Sequence, residues 1–172
     1  MTKQEKCINA ITRRIESLFN ELNMPELYAE ADDYFHYDIE QDDTTCIYYS
    51  IIQDEEIVDQ CYKDFIRKYS KFHTVPISMF TFSLLHEIGH HLTINDFSEA
   101  DFMQYEIETT TLAMKIKDLG EKIIQNAYML LPIEYEANIK AIEIMDNNLC
   151  LLYNFEDDIK ILFEKLNLML DN

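Results

Sequence analysis

The sequence predicts a mostly helical α+β domain with a small β-sheet. Only two glycines and three prolines occur in 172 residues, which disfavours the many tight turns of an all-β fold. Apolar residues recur at helical spacing along most of the chain. Residues 45–52, in contrast, are rich in β-branched and aromatic side chains, which is typical of a strand.

Helices are predicted where apolar residues recur three or four positions apart. The first covers residues 3–23, and Pro25 ends it or starts a short successor. Residues 32–44 are acidic and turn-like, although His36–Ile39 is a candidate for a short strand. Further helices are predicted over residues 54–70 with Asp54 as N-cap, from Pro76 to Asn95, over 98–118 with Ser98 as N-cap, over 121–130, from Pro132 to about 146, and from Asn154 or Glu156 onward.

The length predicts a single domain, residues 1–172, that can bury a sizeable core. The core is expected at about residues 45–146, flanked by N- and C-terminal helices. Hydrophobic residues make up 48% and charged residues 27% of the chain, a balance that indicates a globular protein rather than a disordered one.

The formal net charge is −19, from 14 Lys and Arg against 33 Asp and Glu. Such a surface repels phosphate backbones, so direct binding of nucleic acid is not expected. The charge suits a basic protein partner, a cationic substrate segment or a decoy that mimics nucleic acid. Acidity that mainly serves solubility is the simpler interpretation.

The cysteines indicate a reducing compartment, because no CxxC pair is present. The N-terminus lacks the apolar region of a signal peptide, and no apolar run of about 18 residues suggests a membrane span. We therefore expect a cytoplasmic protein without membrane association. The four cysteines are Cys7, Cys46, Cys61 and Cys150.

The pattern His86-Glu87-Ile88-Gly89-His90 carries the chemistry of the chain. Two histidines four positions apart lie one turn apart on one helix face, so both imidazoles can reach one metal ion. This HExxH spacing is typical of zinc peptidases, in which the carboxylate acts as general base. The sequence thus predicts one Zn²⁺ per chain, with His86 and His90 as ligands and Glu87 as catalytic residue. A chance pair of core histidines is the alternative.

Catalytic zinc needs a third protein ligand, and no histidine follows His91. His91 points about 100° away from His90, and His36 and His73 suit structural or surface roles better. A carboxylate on a later helix is the natural choice. The candidates are Glu99, Glu106, Glu108, Glu121, Glu134, Glu136 and Glu143.

Within residues 132–138, Glu134 and Asn138 form an i, i+4 pair on one helix face. Glu134 would bind the metal, and Asn138 would orient the ring of His86 from the side remote from the metal. Glu136 points to a different side of the helix and is the second choice. An ordinary first-turn glutamate, stabilised by the helix dipole, is the alternative interpretation of Glu134.

The motif HEIGHH with the later E-x-E-A-N resembles the ImmA/IrrE family of zinc metallopeptidases, a gluzincin group, over roughly residues 76–146. The resemblance implies a gluzincin-like core with a small sheet packed on the HExxH helix. It makes His86, His90 and Glu134 the zinc ligands, Glu87 the base and Asn138 a supporting residue. The chain departs from the family at Lys140, at Met145-Asp146 and in an inserted segment at about 98–130.

The resemblance implies a zinc-dependent metalloendopeptidase, a regulatory protease that acts on a repressor-like or other protein target. Its partner would be a protein or peptide substrate, such as a DNA-binding regulator. The alternative is a non-catalytic acidic protein, zinc-stabilised or mimicking nucleic acid, that sequesters a basic partner. Tyr105, Tyr128 and Tyr135 are candidates for the oxyanion stabiliser, and no choice among them follows from the sequence.

Overall fold

The computed structural model describes residues 1–40, 44–51 and 56–170. The protein is α+β and mostly helical with one three-stranded sheet, as the composition predicts. Its chain forms two compact units, one from the two ends of the sequence and one from residues 53–147. Among the described residues, no helix combines the length and apolar character needed to cross a membrane.

The terminal unit holds the sheet, whose strands lie in the order β1 (Leu27–Asp32), β3 (Thr45–Ser50) and β2 (His36–Ile39). β1 runs parallel to β3, whereas β2 runs antiparallel to it. In β1 the buried residues Leu27 and Ala29 alternate with exposed neighbours, so one face of this strand lies in the core.

Two helices complete this unit, α1 Lys3–Glu21 and α7 Leu149–Leu170. Thr2 and Glu5 form a capping box that satisfies free N–H groups at the start of α1. The apolar side of α1 is buried and contacts β1 and α7. The Arg14 guanidinium also donates to Asp158 of α7 at 2.8 Å.

The central unit is helical. The most extensive packing within it joins α3, Met79–Thr93, which carries the HEIGH motif, to α6, Pro132–Asn147. α3 is apolar nearly all round and most of its residues are buried. The helices of this unit are α2 Glu56–Tyr69, α3 Met79–Thr93, α4 Glu99–Leu119, α5 Glu121–Tyr128 and α6 Pro132–Asn147, with a 3₁₀ turn at Ile94–Asp96.

Gly89 marks the place where α3 and α6 come closest. A Cβ on Gly89 would lie 2.2 Å from the carbonyl oxygen of Ala137 and 2.9 Å from its Cα. Glycine is therefore required here by the neighbouring backbone, which accounts for a residue that costs a helix interior about 1 kcal/mol.

The C-terminal end of α6 is tied to the end of α2. Asp146 accepts hydrogen bonds from the hydroxyl of the fully buried Ser70 at 2.7 Å and from the backbone N–H of Lys71 at 2.8 Å. The Asp146 carboxylate contributes two hydrogen bonds between helices of the unit.

Three boundary predictions are wrong. Pro76 does not open the motif helix, because Ser78 is its N-cap and α3 begins at Met79. Of the two alternatives at Pro25, the short helical successor is wrong because residues 27–32 form β1, whereas the end of the first helix before Pro25 is confirmed. The last helix begins at Leu149, before Asn154.

The remaining structural predictions are either confirmed or stay untested. The strand at His36–Ile39 and the cap at Ser98 are confirmed. Asp54 lies outside the described residues. The single domain and the packing of the sheet on the motif helix stay predictions.

Candidate metal centre

Three side chains from α3 and α6 converge on one point. The Nε2 atoms of His86 and His90 lie 3.1 Å apart. Oε2 of Glu134 lies 3.1 Å from the first nitrogen and 3.6 Å from the second. The helical repeat places the two histidines on one face of α3, and the close crossing at Gly89 brings the first turn of α6 opposite them.

These three distances match one face of a tetrahedron around a metal ion. Zinc bonds of about 2.0–2.1 Å to nitrogen and oxygen give ligand separations of about 3.3–3.4 Å. The three atoms meet this requirement within a few tenths of an ångström. Two imidazoles and one carboxylate are also a known donor set for catalytic zinc, so the residues fit the ion.

The cluster is buried, which strengthens the electrostatic interactions among its side chains. Only 4% of His86 and 3% of Glu134 is exposed. Burial opposes ionisation of Glu134, but hydrogen bonds with His86 and His90 outweigh it and hold the pKa of this carboxyl well below its usual range. Burial likewise lowers the His86 pKa, yet the bond to Glu134 and the charge of Glu87 raise it on balance. A buried carboxylate is therefore held ionised, as a metal ligand must be.

Asn138 lies one turn after Glu134 and is fully buried. Both polar atoms of its amide, and Nδ1 of His86, have no hydrogen-bond partner among the described residues. Asn138 nevertheless lies close enough to His86 to contribute to raising its pKa. A histidine that binds metal through Nε2 carries its proton on Nδ1 and requires an acceptor there. The amide oxygen of Asn138 is suited to be that acceptor.

Glu87 is also buried, with 6% of its surface exposed. Its charge raises the pKa of His86 and of Tyr105, which places the carboxylate beside the cluster. It is not one of the three grouped ligand atoms. This position suits a base that acts on a molecule held next to the three ligands.

Two tyrosines reach the opposite oxygen of Glu134. Tyr105 of α4 donates a short hydrogen bond to Oε1, and Tyr128 of α5 donates to the same atom at 2.7 Å. Their hydroxyl oxygens lie 2.8 Å apart. From the sequence, both residues are predicted only as candidates for the oxyanion stabiliser. No local sequence pattern predicts their contact with Glu134.

The remaining candidates lie elsewhere. Glu136 is exposed on α6, as are Glu99, Glu106, Glu121 and Glu143 on their own helices. His36 stacks on Tyr48 with ring centroids 4.3 Å apart, and Nδ1 of His73 contacts the carbonyl of Arg67 at 3.1 Å. Among the described residues, the structure thus groups Glu134 rather than Glu136 with the two motif histidines.

No family model, curated protein or solved structure matches this chain. The geometry of the cluster and the motif residues therefore carry the functional argument.

Proposed function

We propose that the protein is a zinc-dependent metalloendopeptidase of the ImmA/IrrE type. The observation that supports this most strongly is the triangle formed by His86 Nε2, His90 Nε2 and Glu134 Oε2, with edges of 3.1, 3.1 and 3.6 Å. A structural zinc site is usually closed by four protein ligands, whereas three ligands leave a position for water and substrate. The buried Glu87 beside the cluster has no use in a purely structural site.

In this proposal each residue has one task. His86, His90 and Glu134 would hold the zinc ion, which would supply Lewis-acid chemistry and make a water molecule more acidic. Glu87 would accept a proton from the attacking water and pass it to the amine that leaves when the peptide bond breaks. Asn138 would fix the ring of His86.

The proposed substrate is a protein with a basic segment. A formal charge of −19 attracts such a target and raises its rate of encounter at low salt. A DNA-binding regulator, which carries Lys and Arg to contact phosphates, has the required charge. The resemblance at the motif points to the same class of target.

Two measurements test the proposal. Elemental analysis of the purified protein should give about one zinc per chain, lost in His86→Ala and His90→Ala but kept in His91→Ala, a matched control on the same helix. Mass spectrometry should then find new amino termini in a cell extract treated with the wild-type protein and not in one treated with Glu87→Gln. Zinc retained in His86→Ala and His90→Ala, or cleavage retained in Glu87→Gln, would overturn the proposed roles.

The second candidate is a non-catalytic acidic protein that sequesters a basic partner, and the net charge favours it. It predicts salt-sensitive binding that Glu87→Gln leaves unchanged, with the partner intact afterwards. Finding the partner cut by the wild-type protein rejects this candidate.

A further inference from the structure

The two oxygens of the Glu134 carboxylate have different surroundings. Oε2 faces the histidine nitrogens, whereas Oε1 accepts from the hydroxyls of Tyr105 and Tyr128. Each hydroxyl has a single proton, so only two of the three contacts among Tyr105, Tyr128 and Oε1 can be hydrogen bonds at once. With Glu134 ionised, the favoured arrangement directs both protons to the carboxylate, because hydrogen bonds to a charged acceptor are the stronger ones.

We propose that Tyr105 and Tyr128 are positioning residues that restrict Glu134 to a single metal-binding oxygen, Oε2. This inference rests on the proposed function, since it assumes that the cluster binds zinc. It adds two residues and a specific task that the motif does not contain.

A carboxylate can accept only a limited number of hydrogen bonds and metal bonds. Each oxygen has two lone pairs, and two donors occupy those of Oε1. Binding through both oxygens would require Oε1 to turn toward the ion and lose both hydrogen bonds. The two hydroxyls lie 2.8 Å apart, so one could then donate to the other, but the second partly buried tyrosine hydroxyl would be left without an acceptor, which is unfavourable. Binding through Oε2 alone keeps these hydrogen bonds and leaves the fourth position of the ion open.

The tyrosines are suited to this task. A tyrosine hydroxyl has an ordinary pKa of about 10, so both are protonated donors at neutral pH. They come from α4 and α5, within the inserted segment at about residues 98–130. That insertion therefore contributes to the metal centre rather than only lengthening the connection between α3 and α6.

The test compares Tyr105→Phe, Tyr128→Phe and the double variant with the wild-type protein. Tyr135→Phe is the matched control, because Tyr135 adjoins Glu134 on α6 but packs its ring against Phe65 and Tyr69. Zinc affinity is measured by competition with a chromophoric chelator, and the double variant should bind about 10- to 100-fold more weakly. Far-UV circular dichroism of each variant checks the fold.

A second readout separates positioning from general loosening. Co²⁺ replaces Zn²⁺, and the intensity of its visible absorption falls when the coordination number rises above four. The wild-type protein and Tyr135→Phe should give intense four-coordinate bands, and the double variant weaker ones as Oε1 joins the ion. A merely structural role of the tyrosines would lower the affinity without altering the spectrum of the bound ion.

The outcomes distinguish the two proposals. Wild-type protein that binds neither Zn²⁺ nor Co²⁺ overturns the proposed function and this inference together. Wild-type protein that binds both, with a double variant that matches it in spectrum, overturns this inference alone. Should the double variant not fold, the two single variants carry the same comparison, each with a smaller loss of affinity and a partial change in the spectrum.

Discussion

Replacing Gly89 by alanine should separate the two helices that hold the metal ligands. The new Cβ would lie 2.2 Å from the carbonyl oxygen of Ala137, whereas ordinary van der Waals contact begins at 3.4 Å, so relief along that line needs a shift of about 1.2 Å. The obstructing atoms belong to the backbone of α6 and cannot rotate away. The shift must therefore move the helix.

The energetic effect has two opposing parts. Overpacking a close contact costs about 1–3 kcal/mol, and a rigid backbone neighbour puts Gly89→Ala at the upper end. Alanine returns about 1 kcal/mol through its higher helix propensity. The net loss of about 2 kcal/mol corresponds to a fall of about 4–8 °C in the unfolding midpoint of a protein of this size.

The effect on metal binding should be larger than the effect on stability. Metal–ligand bonds tolerate only about ±0.2 Å, and separation of α3 from α6 moves Glu134 away from His86 and His90 by several times that distance. We expect zinc affinity to fall at least about ten-fold, measured by competition with a chelator. Thermal unfolding with and without EDTA measures the accompanying loss of stability.

The only other glycine provides the control. Gly120 has a φ of 81°, and a Cβ added to it would meet no atom within 4 Å, so Gly120→Ala strains the backbone without touching α3 or α6. It should lose stability and keep full zinc affinity. If Gly89→Ala binds zinc as tightly as the wild type, the inferred dependence of the site on helix separation is refuted.

Three further predictions follow from the same unit. Asn138→Leu should stabilise the metal-free protein by about 1–3 kcal/mol, because it removes an unpaired buried amide; denaturation in EDTA measures this gain. The same substitution should weaken zinc binding about 10- to 100-fold, which chelator competition measures. Asp146→Ala should cost about 1–2 kcal/mol in urea denaturation, since the buried hydroxyl of Ser70 loses its acceptor, and Asp146→Asn should cost less. Glu134→Gln should abolish stoichiometric zinc in elemental analysis. The control Glu136→Gln, two residues along on the exposed side of α6, should keep one zinc per chain. Loss of zinc in both variants would contradict the assignment of Glu134 as the third ligand.

Local patterns in the sequence predict most helices, because the apolar period and the caps lie within each segment. The start of α4 at Ser98 is of this kind. β1 is different, since its residues include alanine and acidic side chains that favour strands poorly. Parallel pairing with β3, a contact distant in sequence, stabilises this strand. The start of α3 differs from the prediction because Ser78 offers a hydroxyl that caps the helix more effectively than Pro76 can start it.

The same distinction applies to the candidate site. The spacing of His86 and His90 on one helix face follows from the helical repeat and is visible in the sequence. Choosing Glu134 among seven carboxylates requires knowledge of which helix packs on α3. Tyr105 and Tyr128 contact Glu134 from two other helices, and no spacing along the chain relates them to it. Only the tertiary packing of the central unit brings them together.

The contact between Gly89 and Ala137 also acts as a fulcrum. His86 and Glu134 each lie three residues from it, an arm of about 4.5 Å along a helix axis. Met79 and Asn147, at the far ends of the two helices, lie ten residues from it, an arm of about 15 Å. A tilt of one helix against the other is therefore about threefold smaller at the ligands than at those ends. Substitutions that adjust the helix ends can accumulate with little displacement of the ligands. A substitution at the fulcrum that separates the two helices displaces the ligands by the full separation.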